Sequence, residues 1–203
     1  MMGIEPDDKP PFMVCGMPRA RTAWLGVFLS TPDRPCPHEP SAAWGSISDL
    51  WRFLETPGAA ASDASLTWLW RDILAGRPDA RIVVVLRPAA QVRRSAIAAG
   101  IPLDAPDGLD EMFSEACRLA SASYRFHVLA VSFASLWRPS VLRALYLHCH
   151  GVEPPDGRIE SLAAINIQAD IPARLAEGMA NLDGWRRVMS QRCLTTTGWE
   201  AEP

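Results

Sequence analysis

The sequence predicts an α/β fold: a three-layer α/β/α domain around a mostly parallel central sheet. Three observations predict it. Two apolar runs, Phe12-Met13-Val14-Cys15 and Arg81-Ile82-Val83-Val84-Val85-Leu86, have the length and burial pattern of interior strands. Segments of helical periodicity follow each of them, so strands and helices alternate as in right-handed βαβ units. Both runs end in turns that carry arginine, at Arg19 and Arg21 and at Arg87. In a parallel sheet that is the carboxyl edge, where ligands bind.

The elements follow in order. The first strand closes at Gly16, and from Arg21 the pattern turns helical, with Trp24, Leu25, Phe28 and Leu29 on one face. Ser30-Thr31-Pro32 ends that helix, and the Pro-rich stretch 32–40 forms a loop around Cys36-Pro37-His38-Glu39. A helix over 47–55 turns Ile47, Leu50, Trp51 and Leu54 inward. The small residues of 58–65 have room for a short strand, and Leu66–Ala75 forms a helix closed by Gly76 and Pro78. After the strand 81–86, Pro88 opens a helix with Val92 and Ile97 on its apolar side. A helix over 108–123, a strand over 126–133 and a helix over 139–150 ending at Gly151 come next. A Pro-rich turn, a helix near 157–166 and an amphipathic segment at 172–191 complete the chain. The organisation is therefore a loose arm (1–10), one domain (11–170) and a C-terminal helical appendage (171–203).

Bulk properties narrow the function. The 203 residues are 48% hydrophobic and 21% charged, a globular composition, and the net charge of −3 argues against a nucleic-acid coat or a polybasic membrane anchor. No run reaches the roughly 20 apolar residues of a membrane span, and no signal peptide is evident. Five cysteines (15, 36, 117, 149 and 193) form no CxxC pair, which fits a reducing, cytoplasmic setting better than a disulfide framework.

The turn from Gly16 to Thr22 has the form of a phosphate loop, in which backbone N–H groups and a helix N-terminus converge on one point. Set against the nucleotide-triphosphatase pattern GxxxxGK[ST], Gly16 matches the first glycine. Arg21, Thr22 and Ala23 stand where glycine, lysine and Ser/Thr belong. The missing lysine removes the grip on the terminal phosphates, and the missing hydroxyl at 23 removes the Mg²⁺ ligand. The turn therefore suits an anion handled without a metal, and ATP- or GTP-driven phosphoryl transfer is disfavoured.

The segment Pro18-Arg19-Ala20-Arg21-Thr22-Ala23-Trp24-Leu25 resembles the 5′-phosphosulfate loop of the sulfotransferases, roughly P-[KR]-S-G-T-T-W-L. Variants reading P-R-S-R-T-A-W-L are characteristic of short bacterial and phage members. In that family a strand leads into an arginine, with a serine eight residues later, and the pair holds the cofactor's 3′-phosphate. Here Arg87 follows the strand and Ser95 lies eight residues on. The segment 161–168 and the helix around Leu142–Leu147 are also similar, so the resemblance covers roughly residues 12–170. There are departures: Ala20 replaces serine, Arg21 glycine and Ala23 threonine, so two hydroxyls are lost and Arg21 offers a cationic contact in their place.

The resemblance implies a sulfotransferase-like enzyme that takes 3′-phosphoadenosine 5′-phosphosulfate (PAPS). The sulfuryl group would pass to a hydroxyl or amine on a small-molecule or macromolecular acceptor. Pro18, Arg19, Ala20, Arg21, Thr22, Ala23, Arg87 and Ser95 would form the cofactor site. Transfer needs a base for the acceptor proton, and the family uses a glutamate or a histidine. Glu39, with His38 beside it, is the first choice, and a Cys-x-His-Glu element resembles one in the short members. Asp63 is a further polar candidate, although a cap or turn residue is the commoner role for an aspartate in such a place.

Other features have structural readings. His148 and His150, two apart on a helix, diverge and do not form a metal site. Cys15 belongs inside a strand, and Trp68 and Trp70 are core residues before they are stacking platforms. The alternative to a transferase is a catalytically inactive P-loop nucleotide-binding or structural protein, for example a virion-associated one, which the missing loop hydroxyls favour.

Overall fold

Among the described residues four parallel strands form the sheet, in the order β2-β1-β3-β4. The computed structural model describes residues 9–100, 106–124 and 126–163. The strands are β1 (Phe12–Gly16), β2 (Ala60–Ser62), β3 (Arg81–Leu86) and β4 (Val128–Ser132). In register, Phe12 faces Ala60 on one side and Arg81 on the other, Gly16 faces Val85, and Leu86 faces Ser132. The helices are α1 (Thr22–Leu29), α2 (Ile47–Glu55), α3 (Trp70–Gly76), α4 (Ala89–Ala98), α5 (Pro106–Ser121), α6 (Pro139–His150) and α7 (Arg158–Ala163).

The alternation of side chains along a strand builds two cores from the central pair β1 and β3. Phe12, Val14, Val83 and Val85 point into one, filled by Trp24, Leu25 and Phe28 of α1 and by Leu142, Leu145 and Tyr146 of α6. Met13, Cys15, Ile82 and Val84 point into the other, closed by Leu50 and Leu54 of α2, Ile73 and Leu74 of α3, and Ala116 and Leu119 of α5. This is the three-layer α/β/α arrangement. Every residue of β1 is buried, as a central strand covered on both faces requires. Burying a Phe or Leu side chain contributes about 1.5–3 kcal/mol, so these two cores dominate the stability of the domain.

The sequence expectations meet the structure closely at most boundaries and depart at four places. The helix expected over 66–75 is broken: a 3₁₀ turn, Ala64–Trp68, precedes α3, with Leu69 between them. The tight turn holds the Thr67 hydroxyl against Gly16, accepting from its N–H at 2.8 Å and donating to its carbonyl at 2.9 Å. On α4 the inward residues are Val92 and Ala96, whereas Ile97 is 67% exposed. The fourth strand is shorter than 126–133, because Phe133 begins a 3₁₀ turn. Part of the 32–40 loop pairs with the sheet edge: Glu39 N–H donates to the Ser62 carbonyl and Ser62 N–H to the Pro37 carbonyl, both at 3.0 Å. Residues 1–8 of the expected arm, the appendage 171–203 with its amphipathic segment, and Cys193 lie outside the described residues. Among the described residues no helix is long and apolar enough to cross a membrane.

Candidate functional site

The strand order places a crevice between β1 and β3. The chain leaves β1 for β2 on one side and later returns to β3 on the other, so the connections diverge at the carboxyl ends of β1 and β3. Ligands of open α/β sheets bind at such a switch point. The 17–21 turn and the Arg87-Pro88 turn flank it.

Gly16 makes the approach of these two turns possible. Its φ is +135°, and a Cβ there would lie 2.3 Å from the Val85 carbonyl oxygen. Beyond it the backbone winds through left-handed conformations at Arg19 (φ 59°) and Arg21 (φ 67°), and Arg21 serves as the N-cap of α1 without a side-chain cap bond. Only one other non-glycine residue among those described has positive φ, Glu39 at 53°. Each such residue costs about 1–2 kcal/mol relative to right-handed backbone. All three belong to the residue set singled out from the sequence, and local strain of this kind gathers at functional sites.

One group of side chains forms on the β3 side. Arg87 Nη1 donates to the Arg19 carbonyl, and Arg19 Nε reaches Ser95 Oγ on α4 at 3.4 Å. Arg87 Nε is buried without a hydrogen-bond partner among the described residues. Among the described residues neither Arg19, Arg21 nor Arg87 forms an ion pair. Burial, and then the adjacent Arg19 charge, pull the pKa of Arg87 below its ordinary value, and burial does the same to Arg21. Cations held this close without a carboxylate create a site that an anion relieves.

A second group sits at the start of α1. Thr22, the first residue of the helix, is buried, and its hydroxyl lies 3.2 Å from His38 Nε2. His38 Nε2 is also 3.5 Å from Glu39 Oε1. Ser62 Oγ donates to the Thr22 carbonyl at 2.7 Å, which ties the helix start to the end of β2. The structure thus brings His38 and Glu39 to the same helix N-terminus as the phosphate-type turn. Pro18 and Ala23 are half-buried on that turn, whereas Ala20 is fully buried and its methyl packs into the core.

Asp63 is not at this centre. It is fully buried, caps the 3₁₀ turn by accepting from Ser65 N–H at 2.8 Å, and accepts from Ser41 N–H at 3.1 Å. His150 Nε2 bonds to the Leu29 carbonyl at 2.9 Å, far along the chain fold from the turn, and Trp70 is core.

Sequence reasoning missed the β4–α6 connection. Arg87 lies over the Phe133 ring, with Cζ 4.0 Å from its centroid, and Arg21 lies over Trp137 at 3.4 Å. The signal was available, since this connection also leaves the carboxyl edge, but Phe133 and Trp137 carry no charge to draw attention. Trp24, beside Arg21, is anchored by its Nε1–H donating to the Leu162 carbonyl at 3.1 Å.

The arrangement can hold a ligand with anionic groups at both ends of the turn and place a base next to one of them. No family model and no curated protein matches the chain, so the functional reading rests on this geometry and on the motifs that build it.

Proposed function

We propose that the chain is a sulfotransferase-like protein that binds PAPS and transfers its sulfuryl group to a hydroxyl or amine acceptor, small or macromolecular. The observation that supports this reading is the set of Arg19, Arg21 and Arg87 at the switch point, none ion-paired among the described residues, with the buried Nε of Arg87 orphaned there. An orphaned buried donor is costly unless a ligand completes it. Phosphate and sulfate groups match a guanidinium fork.

In this scheme Arg87 and Ser95 hold the 3′-phosphate. The turn from Pro18 to Ala23, with Arg19, Arg21 and the α1 N-terminus, holds the 5′-phosphosulfate. Glu39, or His38 beside it, takes the acceptor proton as the acceptor oxygen or nitrogen bonds to sulfur. The bridging S–O bond then breaks and adenosine 3′,5′-bisphosphate leaves. The arginines stabilise the charge on the departing phosphate. A cytoplasmic location belongs to the same reading, supported by free Cys15, Cys36 and Cys149, which are buried.

The test is calorimetry with adenosine 3′,5′-bisphosphate and, in parallel, ADP. The expected result is preferential binding of the bisphosphate, weakened about 100-fold by Arg87→Ala, the order of a lost charge-assisted contact. Binding of neither nucleotide would end the sulfotransferase reading.

A second reading is a nucleotide-binding or virion-associated structural protein without transfer. The alanines at 20, whose methyl is buried, and at 23 favour it, because both leave the turn short of hydroxyl donors. Bisphosphate binding without transfer of a labelled sulfuryl group to any hydroxyl or amine acceptor would select it.

A further inference from the structure

Two guanidiniums of the site rest on aromatic rings, and both rings come from one connection. Phe133 opens the 3₁₀ turn after β4, and Trp137 precedes α6. The connection is built to hold a shape. Ser132 Oγ caps the turn by accepting from Ala134 N–H at 3.3 Å, and Ser135 Oγ donates to the Ser132 carbonyl at 2.7 Å. Leu136, 1% exposed, pins the turn to the core, and Arg138 N–H donates to the Ser135 carbonyl at 3.0 Å.

Between the anchored residues on either side, Trp137 is 55% exposed. An indole this open forgoes much of the stabilisation that burial would bring. One of its faces is nonetheless covered, by Arg21, whose Cζ lies 3.4 Å from the ring centroid, which is van der Waals contact.

The chemistry of that contact differs from an ion pair in one decisive way. A carboxylate would orient Arg21 by occupying its N–H donors and cancelling its charge. An aromatic face orients the cation through its π system and leaves the in-plane donors and the charge available. Arg87 over Phe133 repeats the arrangement, and its Nε is the orphaned donor. Arg21 is also one of the three residues at which the turn departs from the general sulfotransferase pattern, where a glycine has no side chain to orient.

We propose that Trp137, with Phe133, is a positioning residue: the β4–α6 connection is a third wall of the site that holds Arg21 and Arg87 so that their remaining donors meet an anionic ligand. The proposal rests on the anion-site reading above, and on nothing about the acceptor.

The test is a double-mutant cycle on the full chain. Calorimetry compares wild type, Arg21→Ala, Trp137→Ala and the double variant, with adenosine 3′,5′-bisphosphate and inorganic pyrophosphate as separate probes. Trp137→Ala is expected to weaken binding about fivefold, the scale of an exposed cation–π contact. Trp137→Phe, which keeps a face for Arg21, should stay within about twofold. In the Arg21→Ala background the same Trp137→Ala change should have no effect. An equal loss in both backgrounds would overturn the proposal, since the indole would then act on the ligand or the fold directly, and so would no loss in either. Pyrophosphate binding with the expected coupling but no bisphosphate binding would sustain the positioning role and remove the nucleotide reading. Binding of neither probe would remove both.

Discussion

Arginine is used in opposite ways at the two ends of the sheet. At the amino end, Arg34 is 3% exposed and spends its donors on carbonyls: Gly58 at 3.0 Å, Ala59 at 3.3 Å, Cys149 at 3.4 Å, and Pro10. Arg81 donates to the His148 carbonyl at 3.1 Å, and Arg158 to the carbonyls of Phe28 and Ser30. These cations close the C-terminal ends of α1 and α6, where free carbonyls and the negative end of the helix dipole favour them. At the carboxyl end, Arg21 and Arg87 lie on aromatic rings, as Arg34 does on Phe12, but there one buried donor, Arg87 Nε, has no partner among the described residues. The lesson is that burial and charge do not separate a structural arginine from a binding one. The accounting of its donors does.

The sharpest way to break this comparison is to remove one arginine from each end. Arg34→Ala should cost about 3 kcal/mol, since it removes the donor to the Gly58, Cys149 and Pro10 carbonyls and leaves a cavity beside Phe12. Urea unfolding reads that loss, and the folded fraction should keep its affinity for adenosine bisphosphate. Arg87→Ala should do the reverse, with stability within about 0.5 kcal/mol of wild type and the loss confined to binding. Equal destabilisation by both would erase the distinction.

How much of this was legible in the sequence follows from what each signal depends on. The helix 47–55 and the strand 81–86 were readable to the residue, because periodicity, β-branching and flanking Gly or Pro are local properties. The strand Ala60–Ser62 was only a possibility within 58–65. Its three small residues have no strand propensity of their own, and pairing with β1 makes them a strand. Breakage of the 66–75 helix depends on Thr67 reaching Gly16, 51 positions away, which no local window contains. At the carboxyl edge, the meeting of the Arg19 and Arg87 turns was legible because strand order brings them together, whereas Ser95, on α4, was singled out only by the sulfotransferase resemblance. The Phe133 and Trp137 contacts were not, because the path of a connection over that edge is set by the burial of Leu136 and by two serine turns.

A smaller effect sharpens the amino end. His150 is stacked on Tyr146 with ring centroids 4.3 Å apart, meets Phe12 edge-on at 5.1 Å, and donates Nε2–H to the Leu29 carbonyl. Burial first, then the charges of Arg34, Arg158 and Lys9, depress its pKa from 6.5 to about 4, against the opposing pull of the Leu29 bond. The folded pKa lies below the unfolded one, so as pH falls the unfolded chain takes up the proton first. Stability from this group is complete above about 6.5, declines through the window down to about 4, and declines no further below it. Urea midpoints for wild type minus His150→Gln, measured across that window, should show the slope in wild type alone. Parallel curves would mean that the ring titrates equally in both states. Carboxylates such as Asp49 and Asp79, whose pKa values are lowered, contribute to both proteins and cancel in the difference.

The smallest predicted change tests the strain at the carboxyl end. Glu39 holds φ 53° and ψ 48°, a conformation that glycine adopts without the Cβ penalty. Glu39→Gly relieves that penalty, while the greater chain entropy of glycine and the loss of the partly exposed pair with His38 offset much of the gain. A net stabilisation of about 0.5 kcal/mol is expected, visible as a raised urea midpoint. Bisphosphate affinity should stay near the wild-type value, because Glu39 forms no ion pair with Arg19, Arg21 or Arg87 among the described residues. Transfer activity should fall to background. A variant that is more stable, binds normally and transfers nothing would identify Glu39 as a residue kept strained for the proton it takes. One that is more stable and transfers at the wild-type rate would reduce Glu39 to a turn residue and leave His38, 3.2 Å from the Thr22 hydroxyl, as the base.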